Sequence, residues 1–199
     1  MSRDKRAQRL QMNRRRRELV QSDAYRLRQA ADWPITSCLL SERWTEPESL
    51  IQIVLTRMKP ATDRADKLAV GVYLLDPACL GLKNTFVDFP TPAERREILG
   101  HIESADPLAA IDPGIAVGLI RRSIDYARSL GFEPQQDFRN SELLLSGVEP
   151  ADVSGQLRLG GLDGKPHYIQ GPEDDVDSII NRLTARLGPD GFNYTLHLE

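Results

Sequence analysis

The sequence has few of the residues on which several common protein classes depend. It contains two cysteines, Cys38 and Cys79, in 199 residues, which is too few for a disulfide framework or a cysteine-based zinc site. We therefore expect reduced thiols, at least one of them buried. No stretch reaches the roughly 18 uncharged apolar residues of a membrane-spanning helix, and no apolar segment follows the arginine-rich start as in a signal peptide. A cytoplasmic protein is predicted.

Metal-binding and phosphate-binding motifs are also missing. The three histidines, His101, His167 and His197, are far apart in the sequence and form no HxH or HExxH pattern. The acidic run at 173–175 lacks the spacing of a calcium loop. The glycine-rich stretch 160–166 has Pro166 where a phosphate loop needs Ser or Thr before a helix. We expect no metal ion and no cofactor.

Charge is unevenly distributed along the chain. Residues 1–30 contain ten Lys or Arg and three Asp or Glu, whereas the remaining 169 residues contain sixteen and twenty-six. Neither glycine nor proline occurs before Pro34, which permits a helix. Since apolar residues are sparse among residues 2–30, such a helix could not be buried along its length. The sequence predicts a basic helical arm over residues 1–30, followed by a single acidic domain over residues 31–199.

The arm is the candidate nucleic-acid contact. Arg14–Arg17 spans a full helical turn, so its charges point in all directions. The arginines could hold RNA phosphates through charge, without sequence specificity and with strong salt dependence. A solvated arm or a loose oligomer contact is the alternative. Tyr25 is the only aromatic residue in this segment, which argues against base stacking. The candidate residues are Arg6, Arg9, Arg14, Arg15, Arg16 and Arg17.

The domain is predicted to be α+β, with a mainly antiparallel sheet and about three packed helices. Apolar runs over 35–40, 50–58 and 68–75 indicate strands, and their short polar connections favour a meander. The third run is apolar at both alternating sets of positions, so both of its faces should be covered. A loop is expected at 77–84, a hairpin from 156–159 and 167–170, and a last strand at 192–198.

Helix starts are well marked in the second half of the chain. Thr91 and Glu94 have capping-box spacing, and Asp112 precedes a proline at a second start. The second helix carries one apolar stripe and should end at Gly131. A short helix through Leu145 and a final helix after an acidic first turn complete the prediction.

A buried strand that ends in a polar loop is the first place to look for chemistry. Asp76, Cys79, Lys83 and Asn84 lie in this loop. As an active site, Cys79 would be the nucleophile, with its pKa lowered by Lys83 or by His167 from elsewhere. As structure, Asp76 and Asn84 would brace the loop and Cys79 would pack inside. Asp76, Cys79 and Lys83 are the catalytic candidates, and Asp137 and His167 are further residues that could converge on them.

Three blocks carry a resemblance to a known family. They are GVYLLDPACLGLKNTF, IDYARSLGFEPQQDF and DGKPHYIQGPEDD, in this order within residues 30–198. Together with the arginine-rich start, they resemble a family of uncharacterised bacterial proteins with VxLxDxxCLGxKxxF, YAxxLGFxPxxDF and GKPxYxxGP blocks. The resemblance implies no activity and assigns no catalytic residue.

The sequence therefore favours an RNA- or ribosome-associated accessory protein, in which the arm contacts phosphate and the acidic domain contacts protein. Two alternatives remain open. One is a small hydrolase or transferase that uses the Asp76–Lys83 loop, and the other is a protein-binding adaptor whose arm folds against an acidic partner.

Overall fold

The computed structural model describes residues 23–59 and 67–196. Within them, an antiparallel sheet has the order β4-β3-β2-β1-β5, which confirms the α+β prediction. Its strands are β1 (Ile35–Ser41), β2 (Ile51–Lys59), β3 (Lys67–Asp76), β4 (Gly81–Asp88) and β5 (Leu108–Ala110). The first three strands pair in succession, as expected for a meander.

The structure corrects the predicted loop at 77–84. The chain turns between Asp76 and Gly81 and continues directly as β4, which pairs antiparallel with β3. Lys83 and Asn84, expected in a loop, are therefore strand residues. This strand was missed because polar residues interrupt its apolar alternation, and such interruptions are typical of the edge of a sheet.

Both faces of the sheet are covered, as the apolar pattern of β3 predicts. On one face, Ile53, Leu55 and Tyr73 belong to the main core. On the other face, Val54, Val70 and Val72 form a smaller cluster. Neighbouring residues of one strand fall in different clusters because successive side chains point to opposite faces.

A different helix covers each face. Helix α2 (Pro92–Ala105) packs Ile98, Leu99 and Ile102 on the smaller cluster, and it begins with the expected capping box at Thr91. Helix α3 (Pro113–Ser129) supplies Leu119 and Ile120, which are fully buried in the main core. Removing each such side chain from water contributes about 1.5–3 kcal/mol. Gly131 follows α3 with a positive φ of 92°, as predicted.

A second unit of structure packs beside the turn that joins β3 to β4. Here β6 (His167–Ile169) pairs in parallel with β7 (Asn193–Thr195), and helix α5 (Val176–Leu187) adds the buried Leu183. The predicted hairpin is wrong, since residues 156–159 form no strand. The glycine-rich stretch is a turn, but the strand after it pairs with the chain end instead.

Two further short segments complete the described fold. Helix α4 (Phe138–Ser141) continues into a 3₁₀ turn at Glu142–Leu145. Residues 23–30 are helical and are called α1. Leu27 and Ala30 of α1 are buried in the main core, so the last part of the predicted arm packs against the domain.

Candidate functional site

The turn between β3 and β4 is held by one buried carboxylate. Asp76 is 6% exposed. Its Oδ1 accepts hydrogen bonds from the backbone N–H groups of Ala78 and Cys79 at 3.0 and 3.1 Å, and its Oδ2 accepts one from Leu80 at 3.1 Å. Buried backbone donors need such partners, so Asp76 stabilises the turn.

Gly81 fixes the same turn against α3. Its φ is +68°, and a Cβ at this position would lie 2.6 Å from both the Ser123 carbonyl oxygen and the Ala127 Cβ. No side chain fits into that space, and L-residues rarely adopt this φ. The turn therefore packs directly against α3, which leaves little space around Asp76 and Cys79.

The environment of Cys79 does not favour a nucleophile. Its side chain is fully buried. Burial, and then the charge of Asp76, raise the pKa of the thiol well above its ordinary value, and Lys83 opposes them only in part. A thiol with a raised pKa is protonated at neutral pH and reacts poorly, because the thiolate is the nucleophile. Cys38 is buried and free as well, as expected.

Lys83 is occupied by an ion pair with Asp174. Its Nζ lies 2.8 Å from Asp174 Oδ2, and the two side chains are 16% and 13% exposed. The same oxygen accepts hydrogen bonds from Gly171 N–H at 2.7 Å and from Tyr168 Oη at 3.2 Å. Burial alone would raise the pKa of Asp174, but the bonds from Lys83 and Gly171 outweigh it and lower the pKa.

Asp76, Cys79 and Lys83 are thus close together, with Tyr168 and Asp174 beside them. The carboxyl of Asp76 responds mainly to its burial, which raises its pKa against the opposing effect of its N–H donors and of Lys83. We call these five residues the turn cluster. Its polar groups are engaged with one another and with the backbone, which is the arrangement that a buried structural network requires.

The remaining candidates do not join this cluster. The backbone N–H of His167 donates to the Ala78 carbonyl at 3.0 Å, but its side chain has other partners. Asn84 accepts a hydrogen bond from the N–H of Thr85. Asp137 precedes α4, is exposed, and makes no side-chain hydrogen bond to the helix.

The side chain of His167 links two other residues. Its Nδ1 lies 2.8 Å from Glu48 Oε1 and its Nε2 lies 2.9 Å from Thr195 Oγ1. The hydrogen bond from His167 lowers the pKa of Glu48. Glu48 also has a φ of 62°, the one positive φ among the described non-glycine residues. In a series of carboxylate, imidazole and hydroxyl, the imidazole is placed to accept the hydroxyl proton and the carboxylate orients the imidazole.

Sequence reasoning missed this chain of three residues. Glu48 and His167 are 119 positions apart, and His167 and Thr195 are 28 apart. No local motif joins them. The His167–Thr195 contact depends on the parallel pairing of β6 with β7, and Glu48, just before β2, meets His167 only in the assembled fold. The only sequence signal is His167 itself, which the sequence offers as a partner for Cys79.

The arginines predicted to bind nucleic acid, from Arg6 to Arg17, lie outside the described residues. At the described end of the arm, the Arg26 guanidinium lies 4.2 Å above the Phe89 ring. Arg26 also forms an exposed ion pair with Asp23 at 3.6 Å, a kind of ion pair that contributes little stability.

Within the described ranges, no group of three or more His, Cys, Asp or Glu side chains is arranged to hold a metal ion. No helix in this part of the chain is long and apolar enough to cross a membrane. No family model, curated protein or solved structure matches this chain. The resemblance of the three sequence blocks therefore stays a prediction.

Proposed function

We propose that this chain is an RNA- or ribosome-associated accessory binding protein of the cytoplasm, whose basic arm contacts phosphate. The observation that carries the proposal is the charge division: ten cations against three acids in residues 1–30, and sixteen against twenty-six in the rest. A concentrated group of arginines is the electrostatic feature that polyphosphates attract, and an acidic domain alone would repel them.

Two structural facts support this assignment. The turn cluster has its charged groups engaged internally, so it offers no free cation for an anionic substrate. At the same time, Leu27 and Ala30 anchor the end of the arm in the main core. Under the proposal, RNA bound by the arm would therefore lie close to the point where Leu27 and Ala30 join the domain.

Substitution tests the proposal better than deletion. Removing residues 1–30 would also remove the buried Leu27 and Ala30 and expose the core. Replacing Arg14–Arg17 with glutamine changes the charge by the same amount as replacing four exposed cations of the domain. The matched control replaces Lys67, Arg96, Arg121 and Arg139, which are exposed and for which the described residues provide no ion pair.

We expect the arm variant to bind a 20-nucleotide single-stranded RNA at least about tenfold more weakly than the control variant at 100 mM salt. The readout is fluorescence anisotropy, with ribosome cosedimentation as a second assay. Equal RNA affinities for the two variants would contradict the proposal. If both variants still bind a protein partner after nuclease treatment, the adaptor function replaces the RNA-binding proposal.

A small hydrolase or transferase is the second candidate. The observation that favours it is the series Glu48, His167 and Thr195 beside the turn cluster, with a solvent-exposed threonine at its end. In such an enzyme His167 would take the hydroxyl proton of Thr195 as the oxygen attacks the acyl carbon of an ester, and Glu48 would stabilise the imidazolium. The ester C–O bond would then break as the imidazolium gives the proton to the leaving alcohol, and water would release the acid from acyl-threonine by the same steps. Hydrolysis of a panel of acyl esters that disappears in Thr195→Ala and in His167→Ala, with unchanged melting temperatures, would support this candidate.

A further inference from the structure

The outer edge of β4 borders a groove of about 530 Å³. Helix α1 forms one wall, and the start of α4 forms the other. Four consecutive residues, 86–89, line it. Because alternate side chains of a strand point to opposite faces, one face alone would contribute only every second residue. The groove therefore follows the edge of the strand.

This edge is unpaired among the described strands, since β4 is the last strand of the sheet on its side. The backbone N–H groups of Thr85 and Phe89 are bonded to side-chain oxygens of the residues before them, Asn84 and Asp88. Phe86 is 45% exposed. An incoming strand would replace these two local bonds with ladder hydrogen bonds, and the exposed aromatic side chain would pack against it, which is how a sheet edge accepts an additional strand.

Charge identifies the kind of strand that fits. The groove is lined by three carboxylates, Asp23, Asp88 and Asp137, and by one cation, Arg26. All three aspartates are exposed, and the Arg26 guanidinium is placed over Phe89. By contrast, another cleft, of about 580 Å³ between α3 and α4, is lined by three arginines and three acidic residues. The β4 groove alone of these two has an excess of one sign.

A second copy of this chain is a poor occupant of the groove. Pairing of two β4 edges would bring the aspartates of both copies together, and like charges that face each other across an interface are destabilising. RNA is excluded for the same reason. An extended peptide with arginine or lysine at alternate positions would direct its cations to Asp23 and Asp137, on the side of α1 and α4. Its apolar residues would then lie on the opposite face, beside Phe86.

We propose that the groove between α1, β4 and α4 binds an extended basic segment of a partner protein by strand addition to β4. The inference deepens the proposed function, because it names the kind of protein segment that the acidic domain would bind. It rests on the proposed function, in which the arm contacts RNA and the domain contacts protein. RNA contact by the arm and strand addition at β4 involve different residues, so either can fail while the other holds.

The test uses the full chain and a labelled ten-residue peptide of alternating arginine and valine. A second peptide replaces arginine with glutamate, and a third replaces two valines with proline, which cannot donate to a ladder. The variant is Asp137→Lys, because this side chain makes no cap bond to α4. Glu149→Lys is the control, since Glu149 is exposed and does not line the groove.

We expect the arginine peptide to bind and to slow amide hydrogen exchange over residues 85–89. The proline peptide and the Asp137→Lys variant should each weaken binding about tenfold, whereas the control should bind as the parent does. Absence of binding, equal binding of the glutamate peptide, or no added protection of β4 would overturn the inference. Amide exchange over residues 85–89 could instead be slow already without peptide and become faster when Arg14–Arg17 are replaced with glutamine. That result would assign the groove to the chain's own arm and overturn the inference. None of these readouts involves RNA.

Discussion

The turn cluster and the β4 groove are both rich in carboxylates, but their carboxylates differ in how they are satisfied. Asp76 is buried and Asp174 is largely buried, and each receives several hydrogen bonds. Asp88 and Asp137 are exposed, and Asp137 makes no cap bond. Buried and satisfied groups stabilise the fold, whereas exposed charges of one sign remain available to a partner. The difference separates the carboxylates of the turn cluster, which stabilise the fold, from those of the β4 groove, which we propose bind a basic partner segment.

The largest loss of stability should follow Asp76→Ala. The change leaves three backbone N–H groups of a closed turn without their acceptor, each costing about 1–3 kcal/mol. We therefore expect the free energy of unfolding to fall by about 4 kcal/mol, measured by urea denaturation. Asp76→Asn keeps one acceptor oxygen and should lose less. A loss below about 1 kcal/mol for the alanine variant would show that the turn is not held by this carboxylate.

Lys83→Met should come next in size. The substitution leaves the Asp174 carboxylate largely buried without its cation, and breaking such a pair costs about 3 kcal/mol. The double variant Lys83→Met with Asp174→Asn removes both charges, so we expect it to recover part of that loss. Additive losses in this double-mutant cycle would mean that the ion pair contributes nothing as a pair.

Glu48→Gln should have a smaller effect that depends on pH. The folded-state pKa of Glu48 lies below its ordinary value of 4.5 because of the hydrogen bond from His167. A depressed carboxyl pKa contributes stability above the unfolded-state pKa, and that stability is lost as the pH falls through the folded-state pKa. We expect a difference of about 1 kcal/mol between parent and variant at pH 7, shrinking below pH 4.5. A difference that stays constant to pH 3 would contradict this origin.

Asp137→Lys should change stability least, by less than about 0.5 kcal/mol, because the side chain is exposed and caps nothing. Thermal unfolding of this variant beside Glu149→Lys measures it. A loss as large as that of Lys83→Met would place Asp137 with the structural carboxylates and remove the contrast between the two regions.

The sequence was informative wherever a single local rule decided the structure. The meander, the capping box at Thr91, the end of α3 at Gly131 and the double-sided burial of β3 all follow from periodicity and turn chemistry. Strand β4 and the β6–β7 pairing were missed, because an edge strand has a weak pattern and the parallel partner lies 26 residues away.

The candidate site shows the same limit. Asp76, Cys79 and Lys83 could be selected from a polar loop after a buried strand, and the structure does bring them together. Their partners could not be selected, because Asp174 is 91 positions from Lys83 and reaches it only through the packing of the second unit. Burial, which decides the protonation of Cys79, is likewise a property of the assembled fold.

The central claim is that the arm binds RNA through its arginines, and the salt dependence of the affinity tests it most directly. Each phosphate contact to single-stranded RNA contributes about 0.7 to the slope of log K against log salt. Replacing Arg14–Arg17 with glutamine should reduce the magnitude of that slope by up to about 3, while the four-cation control of the domain leaves it unchanged. Identical slopes for the parent and both variants would contradict the account.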